Sequence, residues 1–441
     1  MKKGKNSFIE VSNDMNRIIL IGNGFDLAHG LKTSYANFID WYWDNRILDL
    51  HGIYSNESSD ILCTLRLLPN TVSQWQSFYW NNSSVLHSTP GKEIIKQLAK
   101  DKTNYKITKS DFFSCILLSY QEKGWVDIEN EYYRLLFPSE NKGPFLYLDK
   151  AKSLNDELAY IRSLLIEYLK TVQEKYISDA IVNQDIKEKM YSPFNPKDIS
   201  ISGMPEWSKF VHERFQIDSY IKWGDISNWD ELFEAFDVID RSQRKLEIKN
   251  FVKSNQEQVG YMGIESIVKN EFPKHFLLPN RIMLLNFNYT NTADLYLRKN
   301  ERFMVNHIHG NLNEPDSVIF GYGDELDENY KKMLEKNDNE YLRNIKSVKY
   351  LESSNYRNLL EFMESSPYQI FIMGHSCGNS DRTLLNTLFE HRNCVSIKPF
   401  YHKWDDGTDN YMELVQNISR NFTDMKLMRD RVVNKTFCET I

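Results

Sequence analysis

From residue 281 onward, short apolar runs alternate with amphipathic segments, and each run ends in glycine or in small polar residues. RIMLLNFNY precedes NTADLYLRK, and FMVNHIHG is followed by SVIFGYG. After a polar helical stretch over 326–365, YQIFIMG leads into DRTLLNTLFEH and CVSIKPFYH into YMELVQNISRNF. The same texture appears once near the start, where NRIILIG (16–22) is followed by a loop and by YANFIDWYWDN, with Thr33 or Ser34 as helix N-cap. Repeated strand–helix alternation predicts an α/β fold with a Rossmann-like, doubly wound, mainly parallel sheet. Ligands of such sheets sit beyond the carboxyl ends of the strands. The unusual polar clusters all fall there: Gly22–Asp26, Asn286–Thr290, His307–Asn311 and Gly374–Asp381.

The stretch between reads differently. Residues 151–175 carry Leu154, Leu158, Ile161, Leu164, Leu165 and Leu169 at helical spacing, and 206–240 is rich in Trp and Phe. Alternating strands are absent from the pattern, so 51–280 is expected to be a large, mostly helical insertion. The expected division is a flexible leader (1–15), a Rossmann-like nucleotide-binding domain (16–50 and 281–441) and the inserted domain (51–280). At 441 residues with 41% hydrophobic residues the chain can fill more than one core.

Composition narrows the partners. A net charge of -7 without a Lys/Arg cluster argues against nucleic acid. A membrane span would need a run of about eighteen apolar residues, which the chain lacks. The first fifteen residues have no apolar segment of a secretory signal, and the five cysteines form no C-x-x-C pair. A reducing cytoplasm fits, and no metal site is expected.

Four constellations carry the chemistry. Gly22-Asn23-Gly24 closes the first strand, where glycine either lets backbone N–H groups approach a diphosphate or simply ends the strand in a tight turn. A dinucleotide fingerprint would place a third glycine at 27, but Leu27 stands there. Asp26 is suited either to a ribose hydroxyl or to stabilising the turn. In Asn286–Thr292, Thr290 or Asn291 is expected to cap a helix, which leaves Asn288 for function. His307 and His309 alternate on one strand face, with His309 before Gly310 at the ligand edge. Gly374-His375-Ser376-Cys377-Gly378 has the G-x-S-x-G form of a nucleophile elbow. A serine hydrolase using Ser376 would need an acid and then a histidine downstream, and only His391 and His402 follow. Ser380 or Asp381 reads more simply as the N-cap of the next helix. Asp127 and Glu129, in WVDIE, are suited to lining a cleft but read more simply as a solvated helix start.

Taken together, IILIGNGFDLAHGLKTSYANF, WVDIE, LNFNYTNT, HIHGNLN, VIFGYGDE and MGHSCGNSDRTLLNTLFEH resemble the AbiH family of bacterial abortive-infection (phage-defence) proteins. More remotely the chain is similar to the sirtuin-like NAD-binding fold. That resemblance implies that Gly22, Asn23, Gly24, Phe25 and Asp26 border the nucleotide. It implies that Asn288 and His309 are catalytic, positioning water and handling ribose hydroxyls. It further implies that Gly374, Ser376 and Asp381 bind the adenosine side. Thr290 replaces the usual Asp, and the paired cysteines of a deacetylase zinc module are missing. NAD hydrolysis therefore stands where deacetylation does not. The implied function is an antiphage effector that cleaves NAD to nicotinamide and ADP-ribose when triggered, with NAD as substrate or ligand and no other cofactor required. The alternatives are a non-enzymatic NAD or ADP-ribose sensor signalling through the helical region, and a module acting on other nucleotides or RNA. A homo-oligomer and a phage-derived trigger are left open.

Overall fold

The structure, a computed structural model, describes residues 14–50, 56–68, 91–100, 105–123, 127–137, 150–177, 182–211 and 277–441. Five strands form one parallel sheet: β1 (Asn16–Ile21), β5 (Ile282–Asn286), β6 (Phe303–His307), β7 (Tyr368–Met373) and β8 (Cys394–Phe400). Their order is β6-β5-β1-β7-β8, and every pairing is parallel. The chain therefore adds β5 and β6 on one side of β1, then returns to add β7 and β8 on the other. The order reverses between β1 and β7. In open α/β sheets a crevice opens at such a reversal.

Both faces of the sheet are covered, which is why β1, β5, β7 and β8 are buried at every position rather than alternately. Ile18, Leu20, Met283, Leu285, Ile370 and Ile372 pack under helices Asn355–Ser365, Arg382–Glu390 and Tyr411–Arg420. On the other face, Ile19, Ile21, Leu284, Phe371 and Met373 meet Phe25, Tyr296, Ile186 and Met190. Arg17 ties this second layer down. Its buried guanidinium lies 4.0 Å from the Phe371 ring centroid and donates to the carbonyls of Met190 and Ser192. Residues 183–211, expected in the insertion, thus cover the back of the parallel sheet. Met15, expected in the flexible leader, is buried in the same region with Phe194, Trp207 and Phe210.

The described part of 51–177 is mainly helical, as its periodicity predicts. Leu154, Leu158, Ile161, Leu165 and Leu169 of helix Lys150–Ile177 are buried. It also holds a small antiparallel sheet that the pattern does not reveal: β2 (Glu57–Ser59), β3 (Cys63–Leu67) and β4 (Tyr105–Lys109). These strands are three to five residues long, too short for alternation to stand out. Helix Tyr35–Leu50 packs in this second core through Phe38, Ile39 and Trp43, not on the parallel sheet. Leu312, Phe320 and Ile345 join the same core, so it spans both ends of the chain. Among the Trp and Phe residues of 206–240, Trp207 and Phe210 are buried, while Phe215, Trp223, Trp229 and Phe233 lie outside the described residues.

Two other expectations are corrected locally. NTADLYLRK forms only a 3-10 turn, Thr292–Tyr296. SVIFGYG contains no strand; it is tied by single bonds such as Tyr322 N–H to the Asn344 carbonyl.

Candidate functional site

The carboxyl ends of β1 and β7 meet as two glycine turns. Gly24 N–H donates to the Gly374 carbonyl at 2.8 Å. A Cβ on Gly22 would stand 2.5 Å from the Cα of His375, and one on Gly24 2.9 Å from the Cα of Gly374. Gly374 itself has φ +76, and its Cβ would meet Phe25 N at 2.1 Å. Glycine is therefore required here by the approach of two protein loops, a cause that the sequence does not separate from the approach of a ligand.

Around this contact the expected residues separate. Asn23 is exposed and accepts from the Thr33 hydroxyl at 2.6 Å, while Ser34 caps the following helix through Asn37 N–H. Phe25 is wholly buried against His29 and Tyr296, in the apolar layer under the sheet. Asp26 is buried too, and accepts from Thr290 Oγ1 at 2.6 Å. Burial pushes its carboxyl up to about 6 against the opposing hydrogen bonds from Thr290, Thr292 and Asn288. Neither Thr290 nor Asn291 caps the 3-10 turn; the Thr290 hydroxyl goes to Asp26 instead. Asn288 Nδ2 donates to the Gly22 carbonyl at 3.0 Å, fastening the β5 turn to the first glycine turn.

His307 and His309 do not share a face, because the strand ends at His307. His307 pairs with Asp294 at 3.0 Å, whereas His309 enters a buried polar cluster on the other side. In that cluster His309 Nε2 lies 3.3 Å from Asp381 Oδ1 and 3.1 Å from the Tyr350 hydroxyl. His375 Nδ1 accepts the Cys377 N–H at 3.0 Å, which places its proton on Nε2, 3.5 Å from Asp381 Oδ2. The Phe287 ring lies against both imidazoles. Lys346 Nζ bridges Asp381 Oδ1 at 2.8 Å and Glu129 Oε2 at 3.1 Å. Glu129 Oε1 accepts Gly321 N–H at 3.1 Å.

So Asp381 is not a capping residue: it occupies the N-cap position of helix Arg382–Glu390 without a side-chain cap bond, and turns inward. Glu129 is buried, contrary to the solvated reading; Asp127 does cap its helix, through Asn130 N–H at 3.0 Å. Trp125 and Val126 lie outside the described residues. Lys346, His375 and Tyr350 are missed by sequence reasoning. His375 stands inside the glycine-rich turn and can be weighed there, but Lys346 sits in an ordinary polar helical stretch with no local signal.

The electrostatics of the cluster are divided. Burial alone would raise the Asp381 carboxyl, but Lys346 and the two imidazoles hold it well below the usual carboxylate range. Burial and the Lys346 ammonium push His309 down, so its imidazole is neutral at physiological pH. Burial pushes Glu129 up to about 7, against the pull of Lys346. One cation, one firm anion and one carboxyl near neutrality can thus move a proton without leaving a large net charge buried.

Ser376 lies outside this arrangement. It is exposed, His391 pairs with Glu364 at 3.2 Å, and His402 packs against Trp404. Besides Gly374, the left-handed residue of the turn is Cys377 (φ 55), whose buried thiol is pushed up by burial. The elbow thus lacks the serine geometry of a hydrolase.

A family model described as bacteriophage abortive infection AbiH matches residues 18–402. The chain belongs to the AbiH family. No curated protein and no solved structure matches it. Membership implies a role in bacteriophage abortive infection. The AbiH match contains Glu129, His309, Lys346, His375 and Asp381, so the whole cluster lies inside the family region. Among the described residues of this AbiH chain, no helix is long and apolar enough to cross a membrane, and no group of His, Cys, Asp and Glu could hold a metal ion.

Proposed function

We propose that this AbiH-family chain is an abortive-infection effector that hydrolyses NAD, using a Rossmann-like, sirtuin-like site at the carboxyl ends of β1, β5 and β7. The observation that carries the reading is the His309–Asp381–Lys346–Glu129 cluster, directly behind the point where the strand order reverses. Nucleotides bind at such reversals, and the Gly22–Asp26 turn would border the diphosphate. Gly374 and the exposed Ser376 would border the adenosine side.

The reaction asks little of the protein. The bond from ribose C1′ to the nicotinamide nitrogen breaks, and its electron pair neutralises the charged ring. A water oxygen bonds to C1′ and its proton passes to a base of modest strength, releasing nicotinamide and ADP-ribose. His309, neutral and oriented by Asp381, suits the base. Asn288, fixed on the Gly22 carbonyl, suits the orientation of water.

A sensor that only binds NAD is the second reading. Against it stand two carboxyl groups driven in opposite directions, Asp381 down and Glu129 up to about 7. Such separation serves acid–base assignment and is superfluous for binding. The test is incubation of the full chain with NAD and chromatography of the products. Nicotinamide and ADP-ribose support hydrolysis, saturable binding without nicotinamide supports the sensor, and neither result sinks the nucleotide reading.

A further inference from the structure

We propose that Lys346 is a positioning residue: held by Glu129, it keeps Asp381 an anion and thereby fixes the His309 imidazole with its proton on Nε2 and a free lone pair on Nδ1. The inference deepens the proposed NAD reading by naming what sets the base, and it rests on that reading for its role in catalysis.

The geometry runs as a chain of donors and acceptors. Asp381 Oδ1 is shared by the Lys346 ammonium at 2.8 Å and His309 Nε2 at 3.3 Å. Its other oxygen faces His375 Nε2, whose proton is assigned by the bond that Nδ1 accepts from Cys377 N–H. With an ammonium and an imidazole N–H already converging on it, Asp381 has no use for a proton of its own. An anionic oxygen then repels a lone pair on His309 Nε2 and attracts an N–H there. A protonated Asp381 would do the reverse, donating to Nε2 and moving the ring proton to Nδ1. Among the described residues, no hydrogen bond reaches His309 Nδ1. The tautomer therefore decides whether the open nitrogen is a base.

Lys346 can do this only because it is itself held. Its side chain is 1% exposed, its stem passes Gly323, and its backbone N–H donates to the Tyr322 carbonyl. Its second carboxylate partner comes from residue 129, on helix Ile128–Leu136, within the expected insertion. The helical region thus contributes to the constellation as well as bordering it. The groups facing His309 are Asp381, Lys346, His375 and the Tyr350 hydroxyl, with Glu129 behind Lys346.

The experiment is imidazole nitrogen NMR on the full chain with labelled histidine, His309 being assigned by the loss of its signals in His309→Gln. At pH 7 the wild-type protein is expected to show His309 neutral and protonated on Nε2; a Nδ1-protonated ring or an imidazolium overturns the proposal. In Lys346→Met the ring is expected either to change tautomer or to titrate about one pH unit or more higher, since a nearby cation is gone. Lys346→Arg is expected to restore the wild-type spectrum. An unmoved tautomer and titration in folded Lys346→Met overturns the proposal, and if that variant does not fold, the wild-type tautomer decides. When NAD is cleaved, the rising limb of the pH–rate profile should move with the His309 titration. The expected spectra without nicotinamide release would support the positioning role and remove the NAD reading.

Discussion

Glu129→Gln tests the charge cluster through stability alone. Burial pushes the Glu129 carboxyl up from an ordinary 4.5 to about 7, so the folded chain keeps a proton that the unfolded chain has released. A group raised on folding stabilises fully below its unfolded pKa, and that stability is lost as pH rises through the folded value. Between pH 5 and pH 8 the loss comes to about 2–3 kcal/mol, because each pH unit separating the two values is worth about 1.4 kcal/mol. Glutamine cannot titrate, so this dependence should vanish from the variant. The amide also cannot accept from both Gly321 N–H and Lys346 Nζ, which adds a pH-independent loss of about 1–3 kcal/mol. Urea unfolding followed by tryptophan fluorescence at both pH values separates the two effects. The wild-type free energy should fall more steeply than that of Glu129→Gln, even though the variant starts lower. Parallel pH dependences would refute the placement of Glu129 against Lys346 in a buried site.

Gly374→Ala is expected to cost about 2–5 kcal/mol, from its left-handed backbone and a Cβ forced onto Phe25 N. Gly30→Ala, with a similar φ of +78 and nothing within 4 Å, should cost only about 1–2 kcal/mol, and equal losses in melting experiments would contradict the loop contact. Ser376→Ala should lower NAD cleavage by about tenfold at most, the worth of one hydrogen bond, and labelling of Ser376 by a fluorophosphonate probe would contradict this. His309→Ala and Asn288→Ala should each abolish cleavage in a folded chain; wild-type turnover by either would remove the mechanism. In cells, NAD should fall only on phage infection, and equal depletion with and without phage during normal growth would leave no role for a phage-derived trigger.

Local physics makes much of the frame legible. Strand β1 and the strands after residue 281 can be placed because an apolar run stopped by glycine or small polar residues is a short-range signal. The polar clusters at their carboxyl ends follow from the same reading, and so do His309 and Asp381 as residues of interest. The buried face of helix Lys150–Ile177 is equally visible, because helical periodicity needs no knowledge of what the face meets.

What each polar residue does was decided only by the tertiary structure. Glu129 and Lys346 lie 217 residues apart, and nothing near either one distinguishes a buried ion pair from a solvated helix charge. Asp381 has the sequence context of a helix cap, yet an ammonium and two imidazoles brought in by other elements turn it inward. Gly22 and Gly24 advertise a close approach, but not that the approaching atoms belong to Gly374 and His375. The sequence determines where chain can bend and which positions are apolar, since those are properties of a few neighbouring residues. Protonation and pairing depend on burial and on charges within a few ångströms, and only the packed fold supplies those.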